Sequence, residues 1–443
     1  MIQSKFNVYR EYAKGKYWLY NTFTTSVVIL DDDSIKKYFI DENFSDENDI
    51  ISELHDMGFF IDDSFDELKY LESLRRTVVD SNKKIVDLMI APTMDCNARC
   101  YYCFEHGCHH EKMTKETADA VVSYIINNWN GELFNISWFG GEPLLATDVM
   151  DYISRELERK SINFISKITT NGYELSESTV RHALNHWHTN KIQISIDALH
   201  EEYNRIKNYK GVISESPFDK VLANVRTALE SGIKIRIRIN FNPIEKSKAS
   251  ELMDYLQVRF SAYENFSCYF APIDTKSSIV PSIAGKFDSL TEHPFLSLIK
   301  LARKYGYYAG NNRDKNKNYM YDDKGFLSAL KLYPSPTNCY ASCPSMFAID
   351  SKGDLYKCHR VLGKGEQYSS GNVRTGIIKN DIYNFFCNTD LSYDECKDCK
   401  ILPICQGGCK INAYVYNDEH ACSPIKSIYK ELIELYLISI HAI

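Results

Sequence analysis

The sequence predicts an α/β fold whose centre is a partial (β/α)6 TIM-type barrel. Two observations lead to this prediction: six apolar, strand-like runs recur through residues 84–310, and amphipathic helical runs separate them. Unbroken apolar strands are typical of a parallel sheet, and their alternation with helices is typical of β/α repeats. The strand-like runs are Ile85–Ile90, Asn135–Phe139, Phe164–Thr169, Ile192–Ile196, Ile233–Phe241 and Phe266–Phe270. Such barrels bind ligands at the carboxyl ends of their strands, so a site is expected there.

A small α+β module with a winged-helix-like order of elements is predicted before the barrel, over residues 1–83. The predicted elements are two strands within Lys16–Leu30, helices at 34–39, 46–55 and 65–75, and a strand at Phe59–Ile61. Residues 1–80 contain 9 Lys and Arg against 17 Asp and Glu, a balance of −8. This acidic surplus fits either a solvated face of a packing domain or a docking surface for a peptide.

The composition narrows the classes of partner and location. The 443 residues are too many for one ordinary core, so two or three domains are expected. The formal net charge of −7 argues against a nucleic-acid partner, which would need a basic face. Because the N-terminus has no apolar signal region and no stretch is long enough to span a membrane, we expect a cytoplasmic protein without membrane association. Cytoplasmic thiols stay reduced, so the 14 cysteines are not expected to form disulfides.

Three closely spaced cysteines follow the first predicted strand, in the run Cys96-x3-Cys100-x2-Cys103. Three thiolates on one loop suit three irons of a four-iron cluster, because soft sulfur ligands hold iron–sulfur clusters. The fourth iron of such a cluster would be open to a small molecule. A zinc site and structural thiols are the alternatives, although zinc ligands usually come as two separated pairs.

Polar and glycine residues follow the next three strands, where a barrel site is expected. Glycines allow the backbone to approach another group closely, and a glutamate can accept hydrogen bonds from an ammonium. The residues are Gly140, Gly141, Glu142 and Pro143 after the second strand, Asn171 after the third, and Ser195, Asp197 and Arg205 after the fourth. Many of these residue types also suit an ordinary turn.

Eight further cysteines cluster after residue 338: Cys339, Cys343, Cys358, Cys396, Cys399, Cys405, Cys409 and Cys422. They suffice for two fully ligated [4Fe–4S] clusters, or for two zinc ions. A loop is predicted over 311–333, a hairpin with its turn at Ser351–Gly353, and a closing helix at Ile425–Ile440. The three remaining cysteines, Cys108, Cys268 and Cys387, are predicted to be buried or incidental thiols.

The cysteine run, with Tyr102 before its last cysteine, and the later Gly-Gly-Glu-Pro motif resemble the signature of radical S-adenosylmethionine (SAM) enzymes. The resemblance implies that Cys96, Cys100 and Cys103 hold a [4Fe–4S] cluster whose open iron binds SAM. It further implies that one electron cleaves SAM to a 5′-deoxyadenosyl radical, which takes a hydrogen atom from the substrate. The residues implied to contact SAM are Tyr102, Gly140, Gly141, Glu142, Pro143, Asn171, Ser195, Asp197 and Arg205.

The later cysteine spacings resemble the SPASM domain, an extension shared by enzymes that mature sulfatases, quinone cofactors and ribosomal peptides. The resemblance implies three [4Fe–4S] clusters in all, two of them auxiliary. The implied auxiliary ligands are Cys339, Cys343, Cys358 and Cys409 for the first cluster, and Cys396, Cys399, Cys405 and Cys422 for the second. His359 stands where sulfatase-maturing relatives have an acidic residue, which argues against that substrate class. It is also a candidate for receiving a released proton.

These resemblances predict four segments: a peptide (leader) recognition module at 1–83, a radical SAM barrel at 84–310, an Fe–S-binding SPASM domain at 311–424 and a closing helix at 425–443. The function they imply is maturation of a ribosomally made precursor peptide through an intramolecular crosslink, with a Cys thioether as the leading form. The implied partners are a precursor peptide with a leader and an external electron donor that is flavodoxin- or ferredoxin-like. Removal of residues 1–80 is expected to spare SAM cleavage and to weaken peptide modification.

Other functions fit the same residues. An enzyme of this kind can instead dehydrogenate a protein side chain, as sulfatase-maturing enzymes do, form a carbon–carbon or carbon–oxygen link, or epimerise a residue. A non-catalytic iron–sulfur protein that transfers electrons or senses oxygen is the alternative of another class.

Overall fold

The structure is a computed structural model that describes residues 1–42, 49–81, 85, 87–129, 131–211, 216–273, 292–304, 332–337, 339–388, 394–416 and 421–443. The chain divides into two compact units. The terminal unit comprises Met1–Ser81, Lys315–Tyr340 and Asn388–Ile443, and the barrel unit comprises Asn82–Asp314 and Ala341–Cys387. Most of the loop predicted over 311–333 lies outside the described residues.

The N-terminal part of the terminal unit is an α+β module. Its elements are β1 Ile2–Gln3, β2 Asn7–Ala13, β3 Lys16–Asn21, β4 Val27–Asp31, α1 Asp32–Ile35, a π-helical turn Lys36–Ile40, α2 Asp49–Asp56, β5 Phe60–Ile61 and α3 Glu67–Ser81. Strands β2, β3 and β4 form an antiparallel sheet in that order, and β1 pairs with β5. The two strands predicted within Lys16–Leu30 are confirmed as β3 and β4. Strand β2 was not predicted, because Arg10 and Glu11 interrupt its apolar pattern.

The barrel unit contains the six predicted strands: β6 Asp87–Ile90, β7 Phe134–Trp138, β8 Phe164–Thr170, β9 Thr189–Ser195, β10 Lys234–Phe241 and β11 Phe266–Pro272. Neighbours in the sheet follow chain order and every pair is parallel, which confirms the partial barrel. The helices are α4 Lys115–Asn128, α5 Thr147–Arg159, α6 Glu177–Asn185, α7 His200–Lys207, α8 Pro217–Glu230, α9 Lys246–Phe260 and α10 Pro294–Lys304. Thr114, Ser176 and Ser216 cap three of these helices through their side-chain oxygens.

Strand β10 is apolar on one face only, which differs from the expectation of unbroken apolar strands. In β10, Ile235, Ile237 and Ile239 are fully buried, whereas Arg236 and Arg238 alternate with them and are partly exposed. Helices α8 and α9 pack against this strand. Because side chains alternate across a strand, the isoleucines form one face and the arginines the other.

The sheet continues beyond the six repeats. Strands β12 Phe347–Ile349, β13 Asp354–Tyr356, β14 Ser369–Asn372 and β15 Gly376–Ile377 extend it to ten strands, and α11 Asp381–Cys387 follows. Strand β12 is parallel to β6, and the following pairs are antiparallel. The predicted hairpin is confirmed as β12 and β13, whose turn is closed by a 3.0 Å bond from the N–H of Gly353 to the carbonyl of Asp350.

The C-terminal part of the chain returns to the terminal unit as α12 Asp394–Lys397, α13 Leu402–Cys405, α14 Lys410–Tyr416 and α15 Tyr429–Ser439. Helix α15 confirms the predicted closing helix, and the indole N–H of Trp18 in β3 donates to Glu434 of this helix at 3.3 Å. Both ends of the chain therefore fold together in one unit. No helix among the described residues is long and apolar enough to cross a membrane.

Candidate active site

The three closely spaced thiols lie on the loop that follows β6, near the middle of the ten-stranded sheet. The N–H of Ala98 donates to Cys96 Sγ at 3.4 Å, and the N–H of Cys103 donates to the carbonyl of Cys100 at 3.1 Å. The loop therefore curls so that one backbone donor points at sulfur, as backbone donors do around iron–sulfur clusters.

Burial and neighbouring groups raise the pKa values of the thiols on this loop. Burial raises the pKa of Cys96, and the neighbouring Glu142, Cys100 and Cys103 raise it further. Burial likewise raises the pKa of Cys103 to about 12. A bound metal cluster would favour the thiolate forms that burial disfavours, because thiols bind metals in deprotonated form.

The ligand geometry of a [4Fe–4S] cluster differs from that of a single metal ion. Among the residues that the structure describes, no three His, Cys, Asp or Glu side chains are arranged around one metal ion. In a [4Fe–4S] cluster each thiolate binds a different iron, so the ligands do not have to meet at one point.

Gly140 and Gly141 bring the loop after β7 against the backbone of the thiol loop. A Cβ atom on Gly141 would lie 2.2 Å from the carbonyl oxygen of Asp95, and one on Gly140 would lie 2.4 Å from that of Thr93. This approach lets the N–H of Glu142 donate to the carbonyl of Asp95 at 2.8 Å. The glycines therefore align the thiol loop with the neighbouring strand end.

Glu142 is fully buried and joins two strand ends. Its Oε1 accepts from Thr170 Oγ1 at 2.6 Å and from the N–H of Leu144 at 3.1 Å, and its Oε2 accepts from the N–H of Asn171 at 2.8 Å. Burial raises the pKa of Glu142 to about 7 despite these hydrogen bonds, which lower it. A carboxylate has about four acceptor positions, so one position remains for a further donor.

A buried cation that was not predicted from the sequence joins Tyr102, Ser195 and Asp197. Lys207 Nζ lies 2.8 Å from Asp197 Oδ2, 2.8 Å from Ser195 Oγ and 2.9 Å from the Tyr102 hydroxyl. The Tyr102 hydroxyl also donates to Asp197, and Asn240 Nδ2 donates to the other oxygen of this carboxylate at 2.7 Å. Burial lowers the pKa of Lys207, but the charge of Asp197 together with Tyr102, Cys100 and Tyr203 outweighs this effect and holds the pKa well above its ordinary value.

Arg205, the predicted cation of the site, lies elsewhere on the same helix. Its side chain is 73% exposed and is 3.5 Å from Glu202, whereas the side chain of Lys207 is 1% exposed. The helical periodicity of the sequence could have shown that Lys207 is buried and Arg205 exposed. Tyr203, Ile206 and Lys207 share the buried face of α7, so Lys207 lies on an apolar stripe where a lysine is unusual.

The loop from Asn171 completes the same region. Asn171 Nδ2 donates to Asn97 Oδ1 at 2.7 Å and lies 4.0 Å from Cys96 Sγ. Residues from the ends of β7, β8 and β9 therefore meet the thiol loop, as predicted for a barrel site.

His359 packs among aromatic rings near the thiol loop. Its ring centroid lies 5.7 Å from that of Phe104 and 5.6 Å from that of Phe139, both edge to face. Burial lowers the pKa of His359 to about 4, and repulsion from Arg360 and Arg238 contributes. A neutral imidazole with so low a pKa is a weak proton acceptor at neutral pH.

A second group of thiols lines one cavity within the terminal unit. Cys396, Cys399, Cys405 and Cys422, the four residues predicted for the second auxiliary cluster, border this cavity together with Lys426. Lys426 Nζ donates to Cys422 Sγ at 3.4 Å. Burial raises the pKa of Cys396 to about 11, and the other three thiols raise it further.

The cysteines predicted for the first auxiliary cluster belong to different units. Cys343 and Cys358 are in the barrel unit, and Cys339 and Cys409 are in the terminal unit, so their joint role stays a prediction. Lys357 is fully buried beside Cys358 and donates to the carbonyl of Met346 at 3.0 Å.

The fold and the thiol loop define the class: a partial barrel with three closely spaced cysteines on the loop at the carboxyl end of its first strand. Residues 90–256 match the model of the Radical SAM superfamily. The chain is therefore an enzyme that carries a radical SAM domain. Domains of this family bind SAM and a [4Fe–4S] cluster, and the thiol loop fits that cluster.

Curated relatives align over most of the chain. The GTP 3′,8-cyclase of Clostridium perfringens (strain SM101 / Type A) is 26% identical over 325 residues, which are 68% of this chain and 90% of the relative. The cysteine-type anaerobic sulfatase-maturating enzyme of Clostridium perfringens (strain 13 / Type A) is 24% identical over 353 residues, or 73% and 89%. The radical SAM cyclopropyl synthase TigE of Paramaledivibacter caminithermalis is 23% identical over 426 residues, or 88% and 83%.

Solved structures show the same fold. The structure of anSMEcpe with bound AdoMet and the Cp18Cys peptide has a TM-score of 0.57 at 19% identity, and the alignment covers 80% of this chain and 97% of that chain. Streptococcus suis SuiB bound to S-adenosylmethionine has a TM-score of 0.52 at 17% identity, with coverage of 93% and 96%.

Proposed function

We propose that this radical SAM enzyme is a peptide maturase that forms an intramolecular crosslink, most simply a Cys thioether, in a ribosomally made precursor peptide. The observation that carries the proposal is the convergence of Cys396, Cys399, Cys405 and Cys422 on one cavity. Such a set beside a radical SAM domain supports an enzyme with auxiliary clusters. The similarity to TigE and to a sulfatase-maturating enzyme supports a peptide or protein substrate.

The bound cofactors supply the 5′-deoxyadenosyl radical that removes a hydrogen atom from the substrate. We propose that Cys96, Cys100 and Cys103 hold the cluster of this site. Glu142, with one acceptor position left, is proposed to receive the ammonium of SAM. Lys207, whose three N–H donors are taken by Asp197, Ser195 and Tyr102, is proposed to fix these three groups beside the bound SAM. Gly140, Gly141, Pro143, Asn171, Tyr102, Ser195 and Asp197 then hold these groups in position.

Thioether formation leaves an electron to be removed. The carbon radical of the peptide bonds to the sulfur of a substrate cysteine, the S–H proton leaves, and one electron remains. We propose that the eight C-terminal cysteines hold two further [4Fe–4S] clusters, and that one of these clusters accepts the electron. His359 is a poor candidate for the proton, because its pKa is lowered to about 4.

We propose that the N-terminal module docks the leader of the precursor peptide. Strands β2 and β4 are the outer strands of a three-stranded antiparallel sheet, and an extended peptide can add to such an edge. The acidic balance of residues 1–80 favours a basic leader. An external flavodoxin- or ferredoxin-like protein is the proposed electron donor.

Iron analysis tests the cofactor part of the proposal. Protein reconstituted without oxygen should hold about twelve irons per chain, from three four-iron clusters. Replacement of Cys96, Cys100 and Cys103 by Ala should remove about four irons and all formation of 5′-deoxyadenosine. Zinc in place of iron at the C-terminal cysteines would contradict the SPASM assignment.

Mass spectrometry of the peptide product tests the reaction. The substrate to assay is a short peptide encoded next to this gene, with a leader and a cysteine-containing core. A loss of two hydrogens together with one cysteine that no longer alkylates supports the thioether. The same loss with every thiol reactive favours a carbon–carbon or carbon–oxygen link or a dehydrogenated side chain, and an unchanged mass points to epimerisation.

A further inference from the structure

The segment that carries three of the second group of thiols is held by the N-terminal module. Within the terminal unit, three backbone carbonyls of residues 396–406 accept hydrogen bonds from side chains of residues 1–81. Lys5 Nζ donates to the carbonyl of Lys397 at 3.1 Å, Thr22 Oγ1 to that of Lys400, and Arg75 Nη2 to that of Gln406 at 2.7 Å. The bond to Gln406 is buried, and a buried carbonyl needs such a partner, so this bond above all stabilises the conformation of the segment.

Apolar contacts reinforce the same junction. Leu402, in the middle of the segment, is 1% exposed and packs with Phe6 and Leu71 of the N-terminal module. Cys396 and Cys399 pack against this cluster from the segment itself. The N-terminal module therefore packs against the segment that carries the thiols.

Arg75 contacts the segment 396–406 at Gln406, where the backbone of the segment is most strained. Gln406 has φ +53° without being glycine, and Gly407 and Gly408 follow with φ +83° and +81°. This left-handed turn directly follows Cys405. A side chain in the left-handed region costs free energy, and the conformation persists only where its surroundings hold it. Arg75 and Gln406 are 6% and 2% exposed, so their hydrogen bond is shielded from water.

We propose that Arg75 is a positioning residue of the second thiol group. Its hydrogen bond to the carbonyl of Gln406 stabilises the turn after Cys405. Cluster binding at these cysteines therefore depends on a residue of the N-terminal module. The inference rests on the proposed function, because it takes Cys396, Cys399, Cys405 and Cys422 as cluster ligands. It gives the N-terminal module a second role besides peptide docking.

The experiment compares two adjacent arginines of α3. Arg75 is buried and Arg76 is exposed, so Arg76→Met is a matched control for Arg75→Met. Both are made in protein whose Cys96, Cys100 and Cys103 are replaced by Ala, so that only the auxiliary clusters contribute. The readouts are iron per chain, the rate of iron transfer to a ferrous chelator, and the electron paramagnetic resonance spectrum after reduction.

We expect Arg75→Met to release about four irons at least roughly tenfold faster than the parent, because a buried hydrogen bond from a charged donor is lost. Its resonance spectrum should change in one of the two auxiliary signals, and Cys396→Ala should remove that same signal. Arg75→Lys, which keeps a charged donor, should restore part of the slow release, and Arg76→Met should match the parent.

Thr22→Val is the second variant, in case Arg75→Met fails to fold. It removes the hydroxyl that donates to the carbonyls of Lys400 and Phe6, and a smaller acceleration of the same iron fraction is expected. Release from Arg75→Met at the rate of Arg76→Met would overturn the inference, as would an unchanged rate for Thr22→Val. A parent that holds no iron beyond the first site would instead overturn the proposed function, so the two failures are distinguishable.

Discussion

At the scale of single residues, the candidate site depends on a buried lysine. Lys207 and Asp197 are 1% and 3% exposed, and their charges balance each other. Replacement of Lys207 by Met should leave the Asp197 carboxylate buried without its cation, at a cost of roughly 3–5 kcal/mol in the free energy of unfolding. SAM binding, measured by calorimetry, and formation of 5′-deoxyadenosine should both be lost.

Arg205→Met is the control for this prediction. Arg205 is a cation on the same helix with a 73% exposed side chain, so its loss should change stability by less than about 0.5 kcal/mol. SAM affinity that falls in Arg205→Met and persists in Lys207→Met would show that Arg205, and not Lys207, supports SAM binding.

The raised pKa of Glu142 predicts a specific pH dependence of the free energy of unfolding. Its pKa is about 7 in the folded protein against an ordinary value of 4.5. The stability that this group contributes is complete below pH 4.5 and is lost as the pH rises through 7, and in total it amounts to roughly 3 kcal/mol. In protein without SAM, the free energy of unfolding of Glu142→Gln should therefore fall less than that of the wild type between pH 5 and pH 8. Glu177→Gln, at an exposed position, serves as control; parallel curves for wild type and Glu142→Gln would contradict the prediction.

At the scale of elements, the loops after β6 and β7 are packed backbone against backbone. Gly141→Ala would place a Cβ atom 2.2 Å from the carbonyl oxygen of Asp95, so one loop must move away from the other. We expect about four irons to be lost from reconstituted protein, with the C-terminal clusters unaffected. Gly131→Ala tests a glycine with nothing within 4 Å of the added atom, and it should keep its iron. Full iron content in Gly141→Ala would show that the loops tolerate separation.

At the scale of the whole molecule, the terminal unit joins the two ends of the chain. From the sequence, removal of residues 1–80 is expected to spare SAM cleavage and to weaken only peptide modification. The structure adds a consequence, because this deletion removes Phe6, Leu71 and Arg75 from behind the second thiol group. The truncated protein should still form 5′-deoxyadenosine at the barrel site, but it should hold about four irons fewer than the full chain. An undiminished iron content would mean that residues 388–443 form the thiol site alone.

The sequence by itself determined the barrel and the thiol loop, whereas the grouping of four C-terminal cysteines came from the resemblance to the SPASM domain. These features depend on local patterns: alternation of strands and helices along the chain, and short spacings between ligands. Six strands and the β12–β13 hairpin therefore agree with the prediction. Strand β2 escaped prediction because charged residues on its exposed positions hide the apolar face.

Only the tertiary structure decided which side chains meet. Arg205 and Lys207 are two residues apart and both cationic, yet the rotation of α7 places Lys207 among buried polar groups and Arg205 in solvent. Arg75 and Gln406 are 331 positions apart, and their hydrogen bond follows from the packing of both chain ends into one unit. Contacts of this kind depend on the orientation of packed elements, which a one-dimensional pattern of residue types does not contain.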